Sequence, residues 1–347
     1  MSLPARRTTG RRPAAMVDVA QLAGVSQKTV SRVVNDEPHV SEQVRDRVTA
    51  AIAELGFRPN TAARALVTAR SRTIGLVYTG SALFGPSAMS VGVERAARDA
   101  GYSIAVVHTP DGTPASVGAA FDDLAGRGVE GIVVSEPADD LRPVDLESRG
   151  IPVLALEHRP GEPGDWLMVG VDDRAAAREA TEHLLELGHR TVWHVAGPAG
   201  WGTSQNRLLG WQDALAAAGA PVPPVLRGNW SPRSGFEAGA NLAARTDVTA
   251  VVAANDEMAI GVIHAAEEAG LVVPDDLSVV GMDDIPLAGY LSVPLTTMRQ
   301  DFDLITREGM VRLLDAIEGR DVEQPRFGVR AEIVVRGTTA PPGAARG

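Results

Sequence analysis

The sequence predicts a small all-α head followed by a larger α/β body, and two patterns along the chain indicate this division. In the first 60 residues, short apolar stripes recur at helical spacing and stop at Gly24 and Gly56. From Thr73 onward, β-branched runs alternate with helical segments, which is typical of βαβ units and parallel sheets. A chain of 347 residues is long enough for two or three domains.

The net charge also differs between the predicted head and the predicted body. Residues 1–72 contain 12 basic and 6 acidic residues, a net charge of +6, whereas the remainder carries −17. A basic segment on an acidic chain indicates that one domain alone contacts a polyanion. On charge alone, an arginine-rich tail explains the same numbers equally well.

The composition excludes several classes of protein. The chain has no cysteine, which rules out disulfides and thiol catalysis. No apolar run approaches the roughly 20 residues that span a membrane, and residues 1–15 lack the apolar segment of a secretory signal. We therefore expect a cytoplasmic protein with no membrane partner.

Two short helices joined by a tight turn are predicted at the start of the head. The first ends at Gly24 and carries apolar residues on one face, namely Val19, Ala20, Leu22 and Ala23. Ser26 is a fitting N-cap for the second, whose buried stripe is Val30, Val33 and Val34. This pair predicts a helix-turn-helix.

A third helix completes the head. Ser41 is its expected N-cap and Gly56 its end. The apolar residues at helical spacing between them are Val44, Val48, Ile52 and Leu55.

With its valines buried, the second helix presents polar side chains outward. These are Gln27, Lys28, Ser31, Arg32 and Asn35, and Lys28 is the only lysine in the chain. Arginine, lysine and glutamine can bind base edges in the major groove, while short hydroxyl and amide groups suit phosphates. We interpret this segment as a recognition helix, although a solvated helix face can have the same composition.

The body is predicted to contain seven strands separated by helices. The strands are expected at 73–79, 103–109, 131–135, 151–157, 191–197, 250–255 and 277–284. The helices are expected near 87–100, 115–127, 174–188, 203–219, 235–245 and 257–269. Two successive doubly wound halves would enclose a cleft beyond the carboxyl ends of their strands. The polar residues expected there are Thr79, Glu157, Asn255 and Asp283.

Three features of the sequence resemble enzyme or metal sites, but each lacks an element that such a site requires. The segment 197–204 resembles a phosphate-binding loop, but Thr203 stands where the lysine is needed. Acidic doublets recur without the opposed geometry that a glycosidase requires. His183, His189 and His194 lack the i, i+4 spacing of two metal ligands on a helix. We expect no catalytic activity, metal or cofactor.

Two motifs in the head resemble the LacI family of bacterial transcriptional repressors. They are "VDVAQLAGVSQKTVSRVVN" (17–35) and "ELGFRPNTAARALV" (54–67). The resemblance implies a homodimer on a pseudo-palindromic operator, with Leu66 wedged into the minor groove at a central CpG step. The implied DNA-contacting residues are Ser26, Gln27, Lys28, Thr29, Ser31, Arg32, Asn35, Asn60, Ala63 and Leu66. Ala15 departs from the family, in which many members have a hydroxyl N-cap.

The body resembles the family's periplasmic-binding-protein-like effector domain, which has two doubly wound parallel-sheet subdomains. The segments "RLLGW" (207–211), "GNWSPRSGF" (228–236), "ANDEMAIG" (254–261), "VVGMDD" (279–284), "TTMRQDF" (296–302) and "SALFGPSAM" (81–89) carry the resemblance. The implied effector-binding residues are Thr79, Leu83, Met89, Glu157, Arg207, Trp230, Asn255, Asp283 and Gln300. Other roles stay open for four of these residues. Asn255 and Asp283 could cap the helices that follow them, Trp230 could belong to the core, and Arg207 could form an ion pair at the surface.

The resemblance implies a flexible tail at 1–15, a helix-turn-helix domain at 16–59, a hinge helix and linker at 60–72, the effector and dimerisation domain at 73–339 and a flexible tail at 340–347. The N-subdomain would be about 73–170 and 300–331, and the C-subdomain about 171–299 and 332–339. The C-terminus offers no heptad helix for a tetramer.

These features predict a repressor that a small sugar, as a glycoside, releases from its operator. Carboxylates and amides suit sugar hydroxyls, and an indole suits the apolar face of the ring. The alternative keeps DNA binding but makes the ligand a corepressor such as a purine or a sugar phosphate. A periplasmic sugar-binding protein is the second rival, and the helix-turn-helix argues against it.

Overall fold

The computed structural model describes residues 14–34, 37–57, 70–78, 83–109, 113–135, 150–156, 166–322 and 328–343. It divides into two compact units, Met1–Ser71 and Arg72–Gly347. Residues 1–13 of the predicted N-terminal tail, 344–347 of the predicted C-terminal tail and 60–69 of the predicted hinge segment lie outside the described residues. Within the described ranges, no helix is both long and apolar enough to cross a membrane.

Three helices form the head: α1 (Met16–Ala23), α2 (Gln27–Val34) and α3 (Glu42–Leu55). Their shared core consists of Val19, Ala20, Ala23, Val30, Val33, Val48, Ala51 and Phe57. The prediction for Leu22 is wrong, because its side chain is 47% exposed on the face of α1 that points away from this core.

The caps of these helices differ from one another. The Ser26 hydroxyl accepts from the Thr29 amide at 3.1 Å, which caps α2 as predicted. Ala15 has no capping oxygen, but the Asp18 carboxylate reaches back to accept from the Ala15 amide at 2.7 Å. Ser41 occupies the N-cap position of α3, but its side chain makes no capping hydrogen bond. The first and third helices therefore begin without the hydroxyl cap that Ser26 gives the second.

The first sheet of the body is parallel, with strand order β2-β1-β3-β4-β5. Its strands are β1 (Thr73–Tyr78), β2 (Ser103–His108), β3 (Gly131–Val134), β4 (Val153–Ala155) and β5 (Leu167–Met168). Helices α4 (Phe84–Asp99) and α5 (Pro114–Gly126) connect the first three strands and pack against them. Each connection is a βαβ crossover, as the alternation of patterns predicts.

The second sheet begins where the chain leaves the first, and its strand order is β11-β10-β9-β8-β6-β7. Its strands are β6 (Trp193–Ala196), β7 (Leu226–Arg227), β8 (Ala250–Ala253), β9 (Ser278–Asp283), β10 (Thr296–Arg299) and β11 (Glu332–Val334). Only β11 among them runs antiparallel to its neighbour. Four helices belong to this half: α6 (Asp173–Glu186), α7 (Gly202–Ala217), α8 (Pro232–Ala243) and α9 (Asp256–Glu268).

The chain then returns to the first sheet before it ends on the second. Helix α10 (Phe302–Ile317) follows β10 and packs against α4 and the first sheet, whereas β11 lies in the second sheet. We call the first sheet with α4, α5 and α10 the first half, and the second sheet with α6 to α9 the second half. One apolar core is continuous between them, because residues such as Leu154, Trp211 and Met298 belong to the same cluster.

Candidate functional site

A cleft of about 780 Å³ lies between the two halves, at the carboxyl ends of several strands. Its lining residues are Leu83, Gly85, Pro86, Met89, Leu156, Gly170, Val171, Asp173, Trp201, Gly202, Thr203, Arg207, Trp230, Asn255, Asp283, Gln300, Phe302 and Ile305. Ligands commonly bind at this place in doubly wound folds, between the carboxyl ends of the strands of two halves.

The polar centre of the cleft is a buried cluster around Arg207, on the second turn of α7. Arg207 Nε donates to Asp173 Oδ1 at 2.7 Å, and one terminal nitrogen donates to the carbonyl of Ala254. Its other terminal nitrogen lies 3.7 Å from Asp283 Oδ1. Gln300 donates from Nε2 to the same Asp283 oxygen. The cluster therefore holds a guanidinium and two carboxyl groups in fixed positions, and all three side chains are buried.

Burial and mutual pairing set the charges of this cluster. Burial raises the pKa of Asp283 well above its ordinary range, and the nearby guanidinium of Arg207 offsets only part of this effect. Burial alone would lower the pKa of Arg207, but Asp173 and Asp283 more than compensate and hold it above its ordinary value. The hydroxyl groups of a ligand can both donate and accept hydrogen bonds, so they can pair with the carboxyl groups and the guanidinium of this cluster.

Asn255 is held rigidly by its neighbours. Its Oδ1 caps α9 by accepting from the Met258 amide at 3.0 Å. Its Nδ2 donates to the Trp230 carbonyl at 3.0 Å and to Glu257 Oε2 at 2.8 Å. Both amide hydrogens are therefore used, and the group that Asn255 has left for a ligand is the second lone pair of Oδ1.

Two tryptophans form an aromatic corner of the cleft. The rings of Trp201 and Trp230 meet edge to face, with centroids 6.0 Å apart. The Trp230 ring packs so closely on Gly197 that a Cβ there would lie 2.4 Å from it. Trp230 also has a positive φ of 72°, which is uncommon for a bulky residue. Glycine at 197 and this strained backbone together place the indole at the cleft.

Apolar side chains from the first half close the opposite side of the cleft. Leu83 and Met89 come from the start of α4, and Phe302 and Ile305 come from the start of α10. Phe302 packs edge to face on Phe84, with centroids 5.9 Å apart. The cleft therefore has one polar wall and one apolar wall.

The structure brings seven of the nine predicted effector residues to this cleft: Leu83, Met89, Arg207, Trp230, Asn255, Asp283 and Gln300. Thr79 and Glu157 lie outside the described residues. The sequence reasoning missed Asp173, Trp201 and Phe302. Asp173 is the second member of an acidic pair at a helix start, and such a pair usually signals capping alone, a role that Asp172 fulfils here.

The predicted DNA-contacting residues of α2 lie on its polar side. Ser26, Gln27, Lys28 and Arg32 are exposed, and Thr29 and Ser31 are half-buried. Ser26 and Thr29 are joined by their hydroxyls at 2.9 Å, and Arg32 lies 3.7 Å from Glu37. Asn35, Asn60, Ala63 and Leu66 lie outside the described residues.

The three histidines considered as metal ligands have separate structural partners. His194 contacts the Val252 carbonyl, His189 contacts Thr249 and the Ala340 carbonyl, and His183 contacts Thr339. Among the described residues, no cluster of potential metal ligands occurs. Thr203 lies in the wall of the cleft, on helix α7, which also carries Arg207.

Comparison with known proteins gives matches for both parts of the chain. Residues 15–60 match the model of bacterial regulatory proteins of the lacI family, and residues 181–339 match the periplasmic binding protein-like domain. The lactose operon repressor of Escherichia coli is 34% identical over 95% of this chain and 92% of its own. The regulator CelR of Thermobifida fusca is 34% identical over 94% of this chain and 98% of its own.

Solved structures of the same proteins are similar throughout. A lac repressor dimer bound to operator and the anti-inducer ONPF superposes with a TM-score of 0.86, at 33% identity, over 95% of this chain and 100% of that one. The lac repressor bound to ONPG in the repressed state gives a TM-score of 0.85, at 34% identity, over 94% and 100% of the two chains. A complex of CelR with cellobiose gives a TM-score of 0.70, at 31% identity, over 94% and 99%.

Proposed function

Because the chain belongs to the lacI family of DNA-binding transcriptional repressors, we propose that it is a homodimeric repressor whose operator binding is relieved by a neutral glycoside. The glycoside binds in the cleft between the two halves of the body. The observation that carries the proposal is the buried cluster of Asp173, Arg207, Asp283 and Gln300 facing the two tryptophans.

The chemistry of the cleft favours a polyol with one apolar face. Two carboxylates accept from vicinal hydroxyls, and Arg207 has terminal N–H groups left to donate after its bonds to Asp173 and Ala254. The indole of Trp230 offers the apolar surface on which the C–H face of a pyranose packs. The wall of Leu83, Met89, Phe302 and Ile305 suits the apolar or second-sugar part of a glycoside.

The cleft is poorly suited to a sugar phosphate, which is one form of the corepressor alternative. Its ionisable lining residues are Asp173, Arg207 and Asp283, and the guanidinium of Arg207 is already paired with Asp173 and lies beside Asp283. A phosphate would meet no unpaired cation among the described lining residues and would have to compete with Asp173 for Arg207. A purine corepressor remains the second candidate, because Trp201 and Trp230 can pack on a planar base.

For DNA binding, we propose that α2 is the recognition helix of each head. Gln27 and Lys28 lie exposed in its first turn, where side chains of a recognition helix reach base edges. Ser26, Thr29, Ser31, Arg32 and Asn35 would position the head on phosphates. Asn60, Ala63 and Leu66 are assigned to the minor groove by the family resemblance alone.

The proposal is tested by titrating the protein with lactose, cellobiose and hypoxanthine while operator binding is measured in parallel. Release of the operator by a glycoside supports induction, whereas tighter binding with hypoxanthine would establish the corepressor alternative. We expect Arg207→Ala and Asp283→Asn each to weaken the effective glycoside by about 10- to 100-fold, since removing one partner leaves a buried polar group unsatisfied at about 1–3 kcal/mol. Operator affinity without ligand should be retained.

The control is Arg233→Ala, which removes an exposed arginine that pairs with Glu237 on α8. This variant should respond to the glycoside like the wild type. Thermal unfolding of all variants identifies any that fail to fold. Normal release of DNA by both cleft variants would show that the cleft is not the effector site.

A further inference from the structure

Glu257 accepts two hydrogen bonds, one from each half of the body. It lies in the first turn of α9, in the second half, and is partly buried. Its Oε1 accepts from the Phe84 amide at 3.2 Å, and its Oε2 accepts from Asn255 Nδ2 at 2.8 Å. One carboxylate therefore contacts both the first turn of α4, in the first half, and an amide that lines the cleft.

The N-cap residue of α4 does not cap the helix with its side chain. Its N-cap residue is Leu83, whose side chain has no hydrogen-bond acceptor, and no side-chain capping bond is present. The first amides of a helix need acceptors, and the helix dipole favours a negative group at this end. Glu257 supplies both from the other half of the body.

The hydrogen bond from the Phe84 amide to Glu257 connects the two halves, so its role extends beyond capping α4. The residues just after Phe84, including Gly85, Pro86 and Met89, line the cleft from the first half. Asn255, the second partner of Glu257, lines it from the second half. A rotation of one half against the other must lengthen or break the bond from Phe84, whereas bonds within one half are unaffected.

We propose that Glu257 is a positioning residue that latches the two halves in the arrangement that binds operator, so that the effector must break this latch to release DNA. The proposal rests on the proposed function. The choice of the operator-binding arrangement is supported by the similarity of the chain to one lac repressor structure bound to operator and to another in the repressed state.

Substitution of Glu257 should shift the balance between the two arrangements while the hydrogen bonds around Arg207, none of which involves Glu257, are kept. We expect Glu257→Ala to lower the glycoside concentration for half-release of operator by about 5- to 10-fold, within the usual range of coupling between sites. The affinity for operator without effector should fall by a few-fold. Glycoside affinity without DNA should rise, because less of the protein is held in the latched state.

A pair of variants at Phe84 isolates its backbone amide. Phe84→Pro removes the N–H at the first helical position, where proline is well tolerated, and Leu83 already has the extended backbone (φ −68°, ψ 152°) that a following proline requires. Phe84→Ala removes the same ring but keeps the N–H. The comparison of these two variants therefore reports the hydrogen bond to Glu257 and not the packing of Phe84 on Phe302.

The test is a double-mutant cycle on the full-length protein. Operator affinity is measured on the duplex that the wild type selects from random DNA, with and without the glycoside that releases it. We expect Glu257→Ala to have its full effect in the Phe84→Ala background and little effect in the Phe84→Pro background. Glu267→Ala, an exposed glutamate on the same helix, should leave both affinities unchanged.

Three results would overturn the latch: an equal effect of Glu257→Ala in both Phe84 backgrounds, an effect no larger than that of Glu267→Ala, or complete loss of glycoside binding. Operator affinity without effector tests the latch even when no glycoside acts. If no glycoside releases operator from the wild type, the proposed effector is wrong. The latch is then tested by the double-mutant cycle on operator affinity measured without effector.

Discussion

Asp283 and Asp284 show how single residues fix the geometry of the cleft. Both have positive φ, 122° for Asp283 and 55° for Asp284, at the end of β9. The Asp284 carboxylate accepts from Arg299 Nε and Arg336 Nη2, each at 2.6 Å. These bonds hold a backbone conformation that L-residues rarely adopt, and strain of this kind commonly occurs at functional sites. The result is that Asp283 lies beside Arg207, at 3.7 Å, on the polar wall of the cleft.

His194 is the residue for which the structure predicts the clearest pH dependence. It is fully buried on β6, its Nδ1 faces the Val252 carbonyl at 2.9 Å, and its ring stacks on Trp211. Burial lowers the pKa of His194 from 6.5 to about 4. In the unfolded chain it binds a proton near pH 6.5, so its contribution to stability is present above that pH and is lost as the pH falls toward 4.

We therefore predict that His194→Gln reduces the loss of unfolding free energy between pH 7 and pH 5 by about 2 kcal/mol. Denaturant unfolding followed by tryptophan fluorescence at the two pH values measures this difference. His264→Gln is the matched control, because His264 is exposed, where it lies 3.4 Å from Glu268 on the same helix and beside the ring of Phe236. Equal pH dependence of the His194 variant and the wild type would contradict the prediction.

Asp256 acts in the opposite direction over nearly the same range. Burial raises the pKa of Asp256 to about 6, while hydrogen bonds from Thr297 and the Ile285 amide offset part of this effect. Ionisation of Asp256 above pH 6 therefore costs stability, and this cost is relieved as the pH falls from about 6 toward 4. The contributions of His194 and Asp256 to the pH dependence of the unfolding free energy therefore partly cancel in the wild type. Comparison with His194→Gln separates the contribution of His194.

At the scale of elements, helices α8 and α9 approach each other through glycines. A Cβ on Gly261 would lie 2.0 Å from the Pro232 carbonyl oxygen, and one on Gly235 would lie 2.2 Å from the Met258 carbonyl oxygen. Backbone atoms cannot move aside as a flexible side chain can. This close contact fixes the position of α9, whose first turn carries Asn255 and Glu257.

We predict that Gly261→Ala destabilises the body by about 1–3 kcal/mol and weakens glycoside binding, because the helices must separate. The intrinsic preference of alanine over glycine in a helix, about 1 kcal/mol, acts the other way but is too small to reverse the sign. Gly289→Ala is the control, since a Cβ there meets nothing within 4 Å. The measurements are denaturant unfolding and calorimetric titration, and an unchanged or raised stability of Gly261→Ala would refute the prediction.

Sequence patterns predict the regular elements well where their periodicity is local. Each of the seven predicted strands and six predicted body helices overlaps an observed one, because βαβ alternation is visible within about 30 residues. The two-residue strands β5 and β7 are too short for any period. Helix α10 and strand β11 were not predicted, and β10 was inferred only from the resemblance.

The candidate site is harder to predict because its contacts are not local. Arg207 and Asp173 are 34 positions apart, and Glu257 and Phe84 are 173 positions apart. The sequence alone contains no signal that joins such pairs. Leu22 illustrates the same limit, since its spacing suits the apolar face but the packing of α1 leaves it exposed.

At the scale of the whole molecule, charge separates the two tasks of the chain. Residues 1–72 carry +6 and the rest carries −17, so a molecule with a net charge of −11 concentrates its positive charge in the DNA-binding unit. An acidic body disfavours nonspecific binding of DNA to its own surface. The head must therefore supply the phosphate contacts.

We predict that operator binding is steeply salt-dependent despite the acidic net charge. With Z phosphate contacts, the logarithm of the binding constant falls against the logarithm of salt concentration with a slope of about −0.9Z.

Lys28→Ala should cost about 1–3 kcal/mol on the selected operator and little on random DNA, because base contacts carry discrimination. Its salt slope should match that of the wild type, whereas loss of a phosphate contact would reduce the slope by about one. Fluorescence anisotropy on both duplexes over a range of salt concentrations distinguishes these cases, with Arg233→Ala as an exposed body control. Equal losses on the two duplexes would assign Lys28 to the phosphate backbone, and a flat salt response of the wild type would contradict the assignment of DNA binding to the basic head.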